Sequence, residues 1–98
     1  MRISKSEIKF LRSLGQKKVR EVEKKFIVEG WRPLKDALNS GFRMEYVALA
    51  AQLATNPDHQ AIIAELESRK VELKELNEIE LRQVSDTVHA QGVIALVQ

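Results

Sequence analysis

The chain has 98 residues, enough for one domain and one core, and it contains no cysteine, which excludes a disulfide framework, a thiolate metal site and a cysteine nucleophile. With 44% hydrophobic and 31% charged residues the composition is not that of a disordered chain. Its apolar runs are too short for a membrane span, and Met1-Arg2-Ile3-Ser4 leads into charged sequence instead of a signal-peptide stretch, so a soluble, cytoplasmic protein is expected.

The net charge of +2 hides an uneven distribution. Residues 1–25 hold nine Lys or Arg against three Glu, a balance of +6, and residues 26–98 carry a balance of −4. A basic end of this kind suits a negatively charged partner, nucleic acid being the commonest. The alternative is a solvated helix face, with Lys17–Glu21 and Glu21–Lys25 at the four-residue spacing of helical ion pairs.

Ser4-Lys5-Ser6-Glu7 has the spacing of a capping box, and Ile8, Leu11 and Leu14 follow on one helix face. Gly15 interrupts this helix. Val19, Val22 and Phe26 then resume a helical spacing, which gives one weakened helix or two short ones. Phe26-Ile27-Val28, closed by Gly30, reads as a first strand, fully buried because it does not alternate. A helix follows with Pro33 in its first turn, an apolar stripe of Leu34, Ala37 and Leu38, and a stop at Asn39-Ser40-Gly41.

Tyr46–Ala50 is the second strand. Asn56-Pro57 opens a helix carrying Ile62, Ile63 and Leu66 that ends near Arg69-Lys70. Val71 to Leu76 reads as a half-exposed strand at a sheet edge, and Asn77 with Glu80 caps a short helix to about Val84, with Leu76 and Leu81 as its hydrophobic staple. A polar turn from Ser85 to Gly92 leads to Val93–Val97, the clearest buried strand. Strands separated by helices predict a three-layer α/β/α domain with a central, largely parallel sheet of about four strands. The end at Gln98, directly after that strand, suggests a cut between domains.

Little catalytic chemistry is encoded. Gly15, Gly30, Gly41 and Gly92 are too scattered for a phosphate-cradling loop, and His59 and His89 lack metal-ligand spacing and read as surface residues. Ser85, Asp86 and His89 lie close in sequence, but catalytic triads are defined by converging geometry, and a hydrogen-bonded turn explains them better. The basic segment Arg12, Lys17, Lys18, Arg20, Lys24 and Lys25 precedes the first strand, and Glu29, Gly30, Trp31 and Arg32 should emerge at its carboxyl end, where open α/β sheets meet ligands. Trp31 either stacks on an unpaired base beside a phosphate held by Arg32, or it packs in a core or against a partner.

Taken in order, these residues resemble the N-terminal substrate-binding domain of the SpoU (TrmH-like) family of RNA 2′-O-ribose methyltransferases. The resemblance rests on Leu11 and Leu14 leading into Lys17-Lys18-Val19-Arg20, then Phe26-Ile27-Val28-Glu29-Gly30, then Leu34, Ala37, Leu38 and Gly41, and finally Val84-Ser85-Asp86-Thr87 with Gln91-Gly92-Val93-Ile94-Ala95. Lys24 stands where that family often has glycine, Ala90 where proline is frequent, and Trp31 where smaller or basic residues are usual.

The resemblance implies an α/β/α fold shared with RNA-binding ribosomal proteins, ribosomal or transfer RNA as partner, and a second catalytic domain beginning after Gln98. That domain would bind S-adenosylmethionine and form a homodimer, so these residues alone would hold no cofactor or metal and have no catalytic residue. It also implies that Lys18, Arg20, Glu29, Gly30 and Arg32 form one side of the RNA surface, with Thr87, Gln91 and Gly92 a neighbouring loop. Glu29 would accept hydrogen bonds from base amino groups or fix Arg20. The rival readings are a stand-alone RNA-binding adaptor and a protein-interaction or dimerisation module using Trp31 and an acidic helix around Glu65 to Glu75.

Overall fold

A computed structural model describes residues 1–85 and 92–98. Four strands, β1 (Phe26–Glu29), β2 (Met44–Ala50), β3 (Glu72–Leu76) and β4 (Val93–Val97), form one sheet in the order β1-β4-β2-β3. Helices α1 (Lys5–Ser13) and α5 (Glu78–Val84) pack on one face, while α3 (Trp31–Asn39) and α4 (Gln60–Ser68) cover the other. Helix α2 (Lys17–Glu23) flanks the first face through Val19. The expected three layers are present.

The side-chain period of a strand divides the core between these faces. Val93, Ala95 and Val97 of β4 join Trp31, Leu34, Leu38, Ile63 and Leu66, and Ile94 and Leu96 join Ile8, Leu11, Leu14, Leu81 and Val84. All five residues of β4 are buried, as expected of a central strand without alternation.

The sheet is mixed instead of largely parallel. β2 and β3 pair in parallel, whereas β4 runs antiparallel to both β1 and β2. The cause lies in α5. Its seven residues reach only about 10 Å, and it starts beside the end of β3 and finishes where Ser85 meets Glu29 at the end of β1. It crosses the sheet's width without returning along its length, so β4 must enter from the end where β1, β2 and β3 finish. That end is called the carboxyl end below, and the opposite one the amino end.

Several other expectations are corrected. β1 is half-buried and not fully buried, because it is an edge strand paired only with β4. β3 lies at the other edge, as its alternation predicts. The break at Gly15 yields two helices, in which Val22 is exposed and Phe26 belongs to β1. Between β2 and α4 the chain makes two 3-10 turns, Ala51–Thr55 and Pro57–His59, so Asn56 caps the second turn and α4 begins only at Gln60. The acidic stretch around Glu65 to Glu75 is the end of α4 followed by β3, not one helix.

Both helices on the second face stop alike. The Phe42 N–H reaches Ala37 O and the Gly41 N–H reaches Leu38 O, while the Val71 N–H reaches Leu66 O and the Lys70 N–H reaches Glu67 O. These are paired Schellman closures. Gly41 holds the left-handed position after α3, and Lys70, with φ 59°, holds the equivalent one after α4.

Candidate nucleic-acid interface

The basic segment is folded around the end of α1. Leu14 closes α1, the chain turns at Gly15 and Gln16, and α2 begins at Lys17. Nη1 of Arg20 donates to Leu14 O at 2.8 Å, so the guanidinium pins the first turns of α2 onto the end of α1. One of its five N–H donors is spent in this way.

Beside this turn lies a cleft of about 540 Å³ at the carboxyl end of the sheet, rimmed by Arg12, Gly15, Arg20, Glu29 and Gln83. Its floor is formed by Leu11, Leu14, Ile27 and Val84. Arg12 is exposed, and Glu29 Oε2 accepts a 2.6 Å hydrogen bond from Ser85 Oγ. The Arg12 guanidinium at the mouth of the cleft can hold a phosphate, and the Glu29 carboxylate on its rim can accept from amino or hydroxyl donors.

The other predicted residues are distributed around this cleft. Lys17 and Lys18 are exposed on the first turn of α2, where Lys17 makes a long 3.9 Å ion pair with Glu21. Arg32 is exposed on the first turn of α3, next to Gly30 but on the helix layer of the opposite face. Gly30 and Gly92 are built into the sheet end, because the Gly30 N–H donates to Val93 O and Gly92 O accepts from the Ala50 N–H. Both are buried with positive φ, 100° and 83°. Thr87 and Gln91 lie outside the described residues, as does His89.

Trp31 does not present a face for stacking on a base. It is buried in the core of the α3 and α4 layer, and its ring lies on the His59 imidazole with centroids 3.9 Å apart and planes 3° apart. The packing alternative is the one observed. His59 accordingly is not a bare surface residue, since a sequence pattern carries no signal for a stack between the start of α3 and a 3-10 turn.

Lys24 and Lys25 do not line the cleft, although the Lys24 N–H bonds to Arg20 O. They precede β1 at the amino end, where Lys25 Nζ pairs with Glu45 at 2.6 Å and not with Glu21. Conversely, Gln83 joins the rim without any signal in the sequence, because only the crosswise path of α5 brings it there.

A second polar cluster lies under α1. Lys74, buried in β3, pairs with Glu7 at 2.5 Å and with Glu72 at 3.6 Å, and its ammonium sits 5.0 Å from the Tyr46 ring centroid. Burial works to raise the Glu7 carboxyl, but hydrogen bonds with Lys74 and Ser4, together with the lysine's charge, outweigh it and hold the carboxyl below its ordinary value. The hydrogen bond to Glu7, working against burial and helped by the charges of Glu7 and Glu72, raises Lys74. Burial, then the charges of Glu7 and Glu45, push the Tyr46 phenol up. This cluster anchors α1 to the sheet.

A mixed sheet between two helical layers, with a basic cleft at its carboxyl end, defines a three-layer α/β/α substrate-binding domain. The family model of the MRM3-like substrate binding domain matches residues 5–95, and the chain belongs to that family. The fold is similar over 100% of the chain to a crystal structure of an RNA 2′-O ribose methyltransferase, at 31% identity and TM-score 0.84. It is similar over 100% of the chain to a TrmH-family protein from Porphyromonas gingivalis, at 25% identity and TM-score 0.69. An AdoMet-bound rRNA methyltransferase from Sinorhizobium meliloti shares the fold over 97% of the chain, at 24% identity and TM-score 0.74. The chain spans 37%, 36% and 34% of these three proteins respectively. No curated protein matches it in sequence.

Proposed function

We propose that this chain is the RNA-recognition part of a 2′-O-ribose methyltransferase, and that it presents ribosomal or transfer RNA to a catalytic part outside these residues. The observation that carries the reading is the cleft in which Arg12 and Arg20 flank Glu29, in a chain whose fold is similar throughout to an RNA 2′-O ribose methyltransferase. Arg12, Lys18 and Arg32 contact phosphates, which sets the position of the RNA, and Glu29 and Gln83 face the group inside the cleft. Arg20 acts as a positioning residue through Leu14.

S-adenosylmethionine would supply the methyl group from the catalytic part, in keeping with the AdoMet-bound relative. The catalytic part also forms the homodimer, and the whole acts in the cytoplasm. Burial of Trp31 and the division of the acidic stretch between α4 and β3 disfavour the protein-interaction module.

The test compares a single-stranded RNA with a DNA of the same sequence at matched salt, because the 2′-hydroxyl is what distinguishes the two. The reading expects tighter binding of the RNA. Equal affinity for both, or binding of neither, overturns it.

A further inference from the structure

β1, β2 and β3 run in one direction, and each is preceded by basic residues at the amino end of the sheet. Lys24 and Lys25 precede β1, Arg43 precedes β2, and Arg69 and Lys70 precede β3. This end is opposite the Arg12 and Arg20 cleft, and neither the family match nor the relatives' names assign it a role.

Two of these lysines are in an unusual state. Among the described residues, the non-glycine positions with positive φ are Lys24 (55°) and Lys70 (59°). Both occupy left-handed helix-terminal positions that glycine takes without strain. Strain held in place is a reason to look for a function of the side chain that holds it. Both side chains are exposed.

The surroundings suit a polyanion with flat bases. A groove of about 500 Å³ is bordered by Phe42, Arg43, Arg69, Lys70 and Gln98. Phe42 is 48% exposed and is held edge-on against Phe26 with centroids 5.6 Å apart. Glu45, the groove's carboxylate, is already paired with Lys25, and Arg69 is engaged by Glu65 and by Leu38 O. Arg43 and Lys70 are left to meet a ligand. The carbonyl ends of α3 and α4 also face this end and favour cations there, so a purely structural role for the lysines is the competing explanation.

We propose that the amino end of the sheet is a second RNA contact, in which Lys24, Arg43 and Lys70 bind phosphates of a single-stranded segment and Phe42 stacks on one of its bases. It rests on the reading of the chain as an RNA-recognition domain. The edges formed by β1 and β3 are about 14 Å apart across the sheet, so Lys24 and Lys70 meet different phosphates of one strand, with Arg43 between them.

The test measures binding of a fluorescein-labelled single-stranded RNA of about 16 nucleotides to the wild-type chain, Lys24→Gly/Lys70→Gly and Arg12→Ala/Lys18→Ala across a salt series. The glycine variant relieves the backbone, so its melting temperature stays level or rises, while its RNA affinity falls about tenfold and its salt slope flattens by about 1.4 for the two phosphates lost. Arg43→Ala with Phe42→Ala gives a second reading of the same surface by a loss of affinity. An unchanged affinity and slope in the glycine variant, with affinity reduced in Arg12→Ala/Lys18→Ala, overturns the second contact alone and leaves the lysines as helix-terminal charges. No RNA binding by the wild type overturns both proposals. Self-association lost in the Phe42→Ala chain, with RNA binding unchanged, assigns the groove to a second copy and also overturns this one.

Discussion

Ser85 Oγ donates to Glu29 Oε2 at 2.6 Å, across 56 residues of sequence, and so fastens the end of α5 to the end of β1. The bond is partly buried and charge-assisted, a class that contributes roughly 1.5–3 kcal/mol. It also fixes where the chain leaves α5 on its way to β4. Glu29→Ala is therefore expected to lower stability by about 2 kcal/mol and Glu29→Gln by about half that, read from urea midpoints. Equal, negligible losses in both would show that the latch carries no weight.

Lys24 caps α2 in the left-handed region, with φ 55° and ψ 44°. That conformation costs a non-glycine residue about 1–2 kcal/mol, partly offset by the flexibility that glycine adds to the unfolded chain. Lys24→Gly should raise stability by roughly 0.5–1 kcal/mol, and Lys24→Val should lower it. Thermal denaturation of the two variants reads the difference, and a lower melting temperature for the glycine variant contradicts this account of the turn.

Gly92 and Gly41 separate two causes of glycine dependence. A Cβ at Gly92 would lie 2.5 Å from Leu53 Cδ1, while at Gly41 it would meet nothing within 4 Å, and both residues have positive φ. Gly41→Ala thus carries the backbone cost of about 1–2 kcal/mol, whereas Gly92→Ala adds to it the smaller cost of displacing the end of the partly buried Leu53 side chain. Denaturant titration should rank Gly92→Ala as the more damaging. Leu53→Ala should recover part of that loss.

The Glu7–Lys74 pair makes stability depend on acidity in a defined direction. Because the folded state holds Glu7 below its ordinary value, its contribution is complete above that value, about 4.3, and is lost as pH falls through the depressed one. Lys74 is raised, so its contribution is complete below about 10.4 and fades only as pH rises past its folded value. Between about pH 6 and pH 3 the wild type should lose more stability than Glu7→Gln. Parallel acid profiles for the two proteins would contradict the pairing.

What the sequence disclosed was chiefly local. The capping boxes at Ser4 and Asn77 form as their spacing requires, and β4 is buried along its whole length because all its residues are apolar. The link between Arg20 and Glu29 came from the family resemblance, and the structure adds Arg12 to them because β1 carries Glu29 back to the end of α1. The direction of β4 was not legible, since it depends on where α5 comes to rest on the sheet. Nor was the burial of Trp31, whose partner His59 arrives through a pair of 3-10 turns. Sequence proximity placed Lys24 with Arg20, and the Lys24 N–H does bond to Arg20 O, but Lys24 is not among the residues that line the cleft.

The most direct test of the central claim is the salt dependence of RNA binding in Arg12→Ala/Lys18→Ala, set against a charge-matched control, Lys5→Ala/Lys9→Ala, on the same face. If the cleft and the adjoining turn of α2 hold phosphates, the first variant should flatten the slope of log affinity against log salt by about 1.4, and the control should match the wild type. Equal slopes in all three proteins would contradict the assignment of RNA recognition to this end of the sheet.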